Sequence, residues 1–199
     1  MPNSPPLHGD ARRSRYEFRV WGEFRKSAKL LARLADEEFH EVVEDCYLLT
    51  DDLRWNAKVR DNTLKVKQLV EQDKGFERWS SERLRSSKAA PSPFDQLFED
   101  LKLDRPQRGK SYDIEEAVRK LDPKDGVRAV FVTKNRHRFR LGDVRAEVTE
   151  ITIEETNEVY QTLSFQGDDL SQLVELRKRL GVKGEPNVAV HQHIETELT

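Results

Sequence analysis

Cysteine is nearly missing: Cys46 is the only one in 199 residues, which excludes an internal disulfide and a cysteine-built zinc cage. Long apolar runs are missing too. No window approaches the roughly 18 consecutive apolar residues that a spanning helix needs, and mean hydropathy is -0.83. Met1 to Asp10 is polar and proline-rich and lacks the apolar centre of a secretory signal. A cytoplasmic protein with no membrane partner is therefore expected. Net charge is also small: 35 basic and 37 acidic side chains cancel to -2. Disorder in a polar chain usually needs high net charge as well as low hydrophobicity, so a folded domain is expected.

What the chain does have is charge of both signs. Asp, Glu, Lys and Arg make up 36% of it, against about 25% in ordinary soluble domains. The chain is long enough for one domain with a real core. Residues 1–11, with three prolines and no periodicity, read as a flexible tail. From Arg15 the pattern alternates, with Arg15, Glu17 and Arg19 on one face and Tyr16, Phe18 and Val20 on the other, which is a strand. Glu23 to Phe39 reads as a helix with Phe24, Ala28, Leu31 and Ala35 in one stripe. A short strand follows at Cys46–Thr50. A hairpin spans Trp55–Arg60 and Thr63–Val70 around Asp61-Asn62, a pair that tolerates positive φ. Phe76–Arg83 suggests another strand.

In the middle, Ser92-Pro93 starts a helix carrying Phe94, Leu97, Phe98 and Leu101. Asp113 with Glu116 opens a second, running to Leu121. After a turn at Asp122–Gly126, Val127–Leu141 is the most strand-like stretch. Gly142-Asp143 turns it into Val144–Ile153, and Thr156-Asn157 leads to Glu158–Phe165. Asp168 or Asp169 caps a helix that ends at Leu180-Gly181. Hairpin-linked strands without βαβ spacing predict the α+β class, with an antiparallel sheet or barrel.

The cations follow strand parity. Arg128, Lys134, Arg136, Arg138 and Arg140 recur through 127–141 with no acid among them. Lys58, Arg60, Lys65 and Lys67 share faces of the first hairpin, and Arg145, Glu147 and Thr149 share a face of a later strand. A one-sided sheet with its polar face in water accounts for such a pattern. Like charges on neighbouring strands repel, however. A face built from them calls for an anion, for which Lys and Arg suit phosphate. Glutamates beside it suit a divalent metal.

The strand Arg15-Tyr16-Glu17-Phe18-Arg19, the hairpin AKVRDNTLKVKQL (57–69), the run KNRHRFRLGDVRAEVTE (134–150) and the ending LSFQGDDLSQLVELRKRLGV (163–182) resemble the CYTH domain of the triphosphate tunnel metalloenzymes. The resemblance implies one domain over residues 12–190, an eight-stranded antiparallel barrel with helices outside, and a C-terminal tail at 191–199. It further implies a lumen in which basic side chains hold a triphosphate, polyphosphate or nucleotide, while glutamates hold Mg²⁺ or Mn²⁺ for hydrolysis. The implied phosphate ligands are Arg15, Arg19, Lys58, Arg60, Lys65, Lys67, Lys134, Arg136, Arg138, Arg140 and Arg145. The implied metal ligands are Glu17 and Glu147. The chain departs from the family's Glu-x-Glu-x-Lys opening, which reads Arg15-x-Glu17-x-Arg19, and from its late Glu-Gly-Glu, which reads Gln166-Gly167-Asp168. With carboxylates missing from both, a catalytically degenerate polyanion-binding module is the alternative to a triphosphatase. A single-stranded RNA binder ranks behind both.

Other signals carry less. Gly109-Lys110-Ser111 has Asp104 where a phosphate loop needs glycine. His191-x-His193-x-Glu195 has one-face spacing for a strand, and a polar tail explains it as well. His137 is expected to face away from the basic row. Cys46 reads as a small buried hydrophobe. Trp21, Trp55 and Trp79 are expected in the outer wall, on the face opposite the cations.

Overall fold

The computed structural model describes residues 14–85, 114–119 and 126–198. The expected tail at 1–11, the helix from Ser92, the Gly109-Lys110-Ser111 segment, the cap at Asp113 and most of the turn at 122–126 lie outside them. The described strands are β1 (Arg15–Trp21), β2 (Glu37–Thr50), β3 (Trp55–Arg60), β4 (Thr63–Asp73), β5 (Phe76–Arg85), β6 (Val127–Leu141), β7 (Val144–Ile153) and β8 (Val159–Gly167). They close a barrel in the order β1-β5-β4-β3-β2-β6-β7-β8, and the pairs are antiparallel. The helices are α1 (Arg25–Leu34), α2 (Ile114–Arg119), α3 (Leu170–Arg179) and α4 (Val190–Glu197).

Side-chain alternation sorts each strand into an outer apolar and an inner polar face. Outward residues of β1, β5, β6, β7 and β8, with Phe18, Phe76 and Phe165 at the centre, form one core under α1 and α3. Outward residues of β2, β3, β4 and β6, including Leu64 and Val66, pack against Ile114 and Val118 of α2. The expected hairpin at Asp61-Asn62 is present. Both residues hold positive φ, 47° and 50°, as a two-residue turn matched to strand twist requires. Asp169 caps α3 by accepting from the Ser171 and Gln172 amides. Removing such a cap costs about 1 kcal/mol.

Two expectations at the strand ends were wrong. The first helix stops at Leu34, and β2 starts at Glu37 rather than at Cys46. Residues 37–45 hid this because both of their faces are polar: Glu37, Glu41 and Asp45 turn inward, while Glu38, His40 and Glu44 turn outward. Without an apolar face there is no period-two signal. Pairing with β6, from Glu37↔Arg140 to Thr50↔Val127, holds the segment as a strand.

At the other end of the chain, Val190–Glu197 is a helix where a tail had been expected. Val190 and Ile194 sit against the inward residues Tyr47, Leu49, Val130, Val132, Ile151 and Ile153. The helix therefore closes one end of the barrel from within. Trp21 and Trp79 face the interior rather than the outer wall. Trp21 stacks on His193 at 3.6 Å between ring centroids, and Trp79 meets His191 edge-on at 5.8 Å. Trp55 packs in the outer cluster, as expected. Tyr47 and the two inward tryptophans show that parity does not separate aromatics from cations in this chain.

Candidate functional site

The interior holds a cavity of about 440 Å³ whose lining includes Glu17, Arg19, Lys58, Arg60, Lys65, Lys67, Lys134, Arg136, Arg138, Arg140, Arg145 and Glu147. Strand geometry thus brings together the implied phosphate ligands and both glutamates, except Arg15; Arg128 of the basic row lies elsewhere, paired with Glu155. Arg15 stands at the start of β1, 3.5 Å from Asp168, and is not in that lining.

Sequence reasoning missed the acids that face these cations. Asp45 is 2% exposed. It accepts from Lys58 Nζ at 2.8 Å and from Arg60 Nε at 2.5 Å, and lies 2.9 Å from Lys134 Nζ. Burial works to raise its pKa. Lys134, Arg60 and Lys58 outweigh that and hold it well below the usual carboxylate range. Lys134 also donates to the Tyr47 hydroxyl. Burial, with Asp45 nearby, pushes that phenol upward. Extending the parity of Tyr47 and Leu49 backwards, through Asp45 and Val43 to Glu41, was the available signal.

One layer up, Glu147 lies between two guanidiniums. Arg19 Nη2 donates to it at 2.9 Å and Arg136 Nε at 3.1 Å. Burial raises its pKa, but Arg19 and Arg136 dominate and hold it low. Arg19 is fixed further by Thr162 at 3.2 Å and Ser164 at 3.0 Å. Glu41 accepts from Arg136 and, at 3.1 Å, from Arg138. Across the lumen, Lys67 donates to both oxygens of Glu17, at 2.5 and 2.6 Å. Glu17 is the direct cross-strand partner of Glu77, a buried acid whose pKa is raised by burial and by the charge of Glu17, against hydrogen bonds from Gln72 and Trp79.

Lys65 differs from its neighbours. Among the described residues no carboxylate lies within ion-pair distance of it. Burial, then Lys67 and Lys58, push it down to about 7. Burial and Lys134 bring Lys58 to about 7 despite Asp45, and burial brings Lys134 to about 8. At the mouth, Arg140 and Arg145 are cross-strand partners of like charge and both are exposed. Phe39 opens onto the same cavity and is 49% exposed.

Oxygen donors suit Mg²⁺ or Mn²⁺. Glu17 and Glu77 are adjacent and face inward, and they fit such an ion once Lys67 leaves the two Glu17 oxygens it now holds. Glu147 fits poorly, because its oxygens already hold two arginines that would repel a cation. The His191, His193 and Glu195 set does not come together as a one-face row. These residues lie on a helix, where His191 meets the Leu53 carbonyl at 3.0 Å and His193 stacks on Trp21.

No protein-family profile matches the chain, and no curated protein sequence does. Solved structures match in fold. A putative adenylate cyclase from Bacillus halodurans superposes with a TM-score of 0.50 at 14% identity, over 92% of this chain and 96% of its own. The PH1012 protein of Pyrococcus horikoshii gives 0.50 at 15%, over 89% and 98%. The chain shares the fold of these proteins, here a closed eight-stranded antiparallel barrel. A putative adenylyl cyclase from Hippeastrum, described as having a dominant triphosphatase activity, gives 0.48 at 12%, over 94% and 97%. In this barrel the lumen runs from a mouth at Phe39, Arg140 and Arg145 to a floor made by α4. No helix among the described residues is long and apolar enough to cross a membrane.

Proposed function

We propose that the lumen binds a triphosphate or short polyphosphate group and that the protein hydrolyses its terminal phosphate with Mg²⁺ or Mn²⁺. The observation that carries this is Lys65: a cation in a deep cavity with no carboxylate partner among the described residues, pressed by Lys58 and Lys67. An entering polyanion relieves that repulsion, and phosphate oxygens accept from several ammonium and guanidinium groups at once. Lys58, Lys65, Lys67 and Arg138 supply contacts along the cavity. Arg19 and Arg136, held in place by Glu147, present the rest of their donors to it. Arg15, Arg140 and Arg145 draw anions to the mouth. Lys134 and Arg60 are committed to Asp45 and shape the lower wall.

Glu17 and Glu77 are the residues that would hold the metal. When bound, the ion neutralises developing charge and positions a water. Glu147, implied as a metal ligand by the sequence resemblance, acts instead as a positioning residue for Arg19 and Arg136. The test is phosphate release from inorganic triphosphate and from ATP, with and without Mg²⁺ or Mn²⁺. Metal-dependent release supports the enzyme reading.

A second reading, a non-catalytic polyanion-binding module, is favoured by the contact of Glu147 with two arginines, which removes one carboxylate from metal duty. Absence of release, with triphosphate still raising the Tm, selects it. Tight RNA binding that free triphosphate fails to displace would overturn both.

A further inference from the structure

On the outer wall, the opposite side of the sheet from the lumen, two histidines stand directly across from each other. His40 of β2 and His137 of β6 are cross-strand partners. Their rings stack with centroids 3.9 Å apart and planes 25° apart. Glu38, two residues before His40 and so on the same face, brings Oε2 to 2.7 Å from His137 Nε2. One ligand atom from each of the three lies within 4.8 Å of the others. Phe139, buried beneath, packs its ring 4.0 Å from that of His137 and limits where that imidazole can turn.

We propose that Glu38, His40 and His137 form a surface site for a divalent transition metal of the zinc, cobalt or nickel type. Two imidazoles and a carboxylate are a donor set these ions take, and it leaves a position open to water. Bonds of about 2.0–2.1 Å place ligand atoms about 3.4 Å apart in a tetrahedral site, so Glu38 and His137, now 2.7 Å apart, must open slightly while His40 moves in from within 4.8 Å. The rings now lie face to face. A side-chain rotation of the exposed His40 turns its nitrogen toward an ion held by His137 and Glu38. A set rich in imidazole selects against Mg²⁺, which prefers oxygen, so this site and the lumen take different metals. The ion would clip β2 to β6 near the mouth, where those strands carry Glu41, Arg136 and Arg138 on the inner face.

The test is calorimetric titration of the metal-free full chain with Zn²⁺ at neutral pH, with Co²⁺ absorption as a second readout. The expected result is one equivalent bound and a Co²⁺ spectrum of low coordination with nitrogen ligands. His40→Ala and His137→Ala, with folding checked by circular dichroism, should each weaken binding by at least about tenfold. Glu17→Gln and Glu147→Gln in the lumen should leave it unchanged. One equivalent of Zn²⁺ should also raise the Tm of the wild type and not of His137→Gln. The proposal is overturned if no stoichiometric binding occurs, if both histidine variants keep wild-type affinity, or if the lumen variants abolish it.

Discussion

The floor and the mouth of the lumen are built from the same residue types and behave as opposites. Near the floor, Asp45 is shared by Lys58, Arg60 and Lys134, Tyr47 receives a proton donor from Lys134, and α4 seals the space. Charge there is matched within the protein. Toward the mouth, Arg140 faces Arg145 and meets Glu37 in an exposed contact at 3.5 Å, and between the two ends Lys65 has no carboxylate partner among the described residues. Charge there is matched more loosely, by exposed pairs such as Arg140 with Glu37. The contrast separates cations that hold the barrel together from cations available to a ligand, a division invisible in a count of basic residues.

That contrast can be broken most severely at Asp45. Asp45→Asn strands several buried cations, and uncompensated buried charge costs about 3–5 kcal/mol. Urea unfolding should show a loss of that size, and an unchanged midpoint would remove Asp45 from its structural role. Lys65→Met should act in the reverse sense. Triphosphate affinity, measured by calorimetry, should fall at least about tenfold, the equivalent of one 1.4 kcal/mol contact, while stability at neutral pH rises because a poorly solvated charge is gone.

Proton linkage sharpens the same point. Lys65 is pushed from an ordinary 10.5 down to about 7, so between those values the unfolded chain binds more protons than the folded one. Stability of the ligand-free protein should therefore rise with pH from about 7 toward 10, and Lys65→Met should flatten that rise. Triphosphate affinity should move oppositely and weaken as pH climbs through 7 and 8, where Lys65, Lys58 and Lys134 lose protons. Titrations in buffers of different ionisation enthalpy should then reveal proton uptake on binding. The smallest effect belongs at the rim. Arg140→Ala with Arg145→Ala should change stability by no more than about 0.5 kcal/mol while slowing association and reducing its salt dependence in stopped-flow measurements.

The barrel and most of its basic lining were legible because alternation is a strong local signal. Val127–Leu141 and Val144–Ile153 match their strands end to end. The acids on β2 gave no periodic signal of their own, because alternation between two polar faces looks like no alternation; only the parity of Tyr47 and Leu49, carried backwards, points to them. Glu77 was missed for a related reason: in Phe76-Glu77-Arg78-Trp79 both faces carry charge and an aromatic ring. The repulsion inferred from the basic rows was therefore overstated. Glu41 and Asp45, one strand away, offset part of it. The C-terminal helix went unread because its apolar residues, Val190 and Ile194, are few and are completed only by side chains from β2, β6 and β7.

The closed floor has a consequence for traffic. A barrel open at both ends could let a long polyanion thread through and be gripped anywhere along its length. With α4 packed into one end, the proposed function would require a substrate to present a free terminus, and the part cut off would leave by the opening through which the rest still projects. Rings and capped chains would be poor substrates, digestion would proceed from the tip inward, and the small fragment left deepest would compete with the next molecule to arrive.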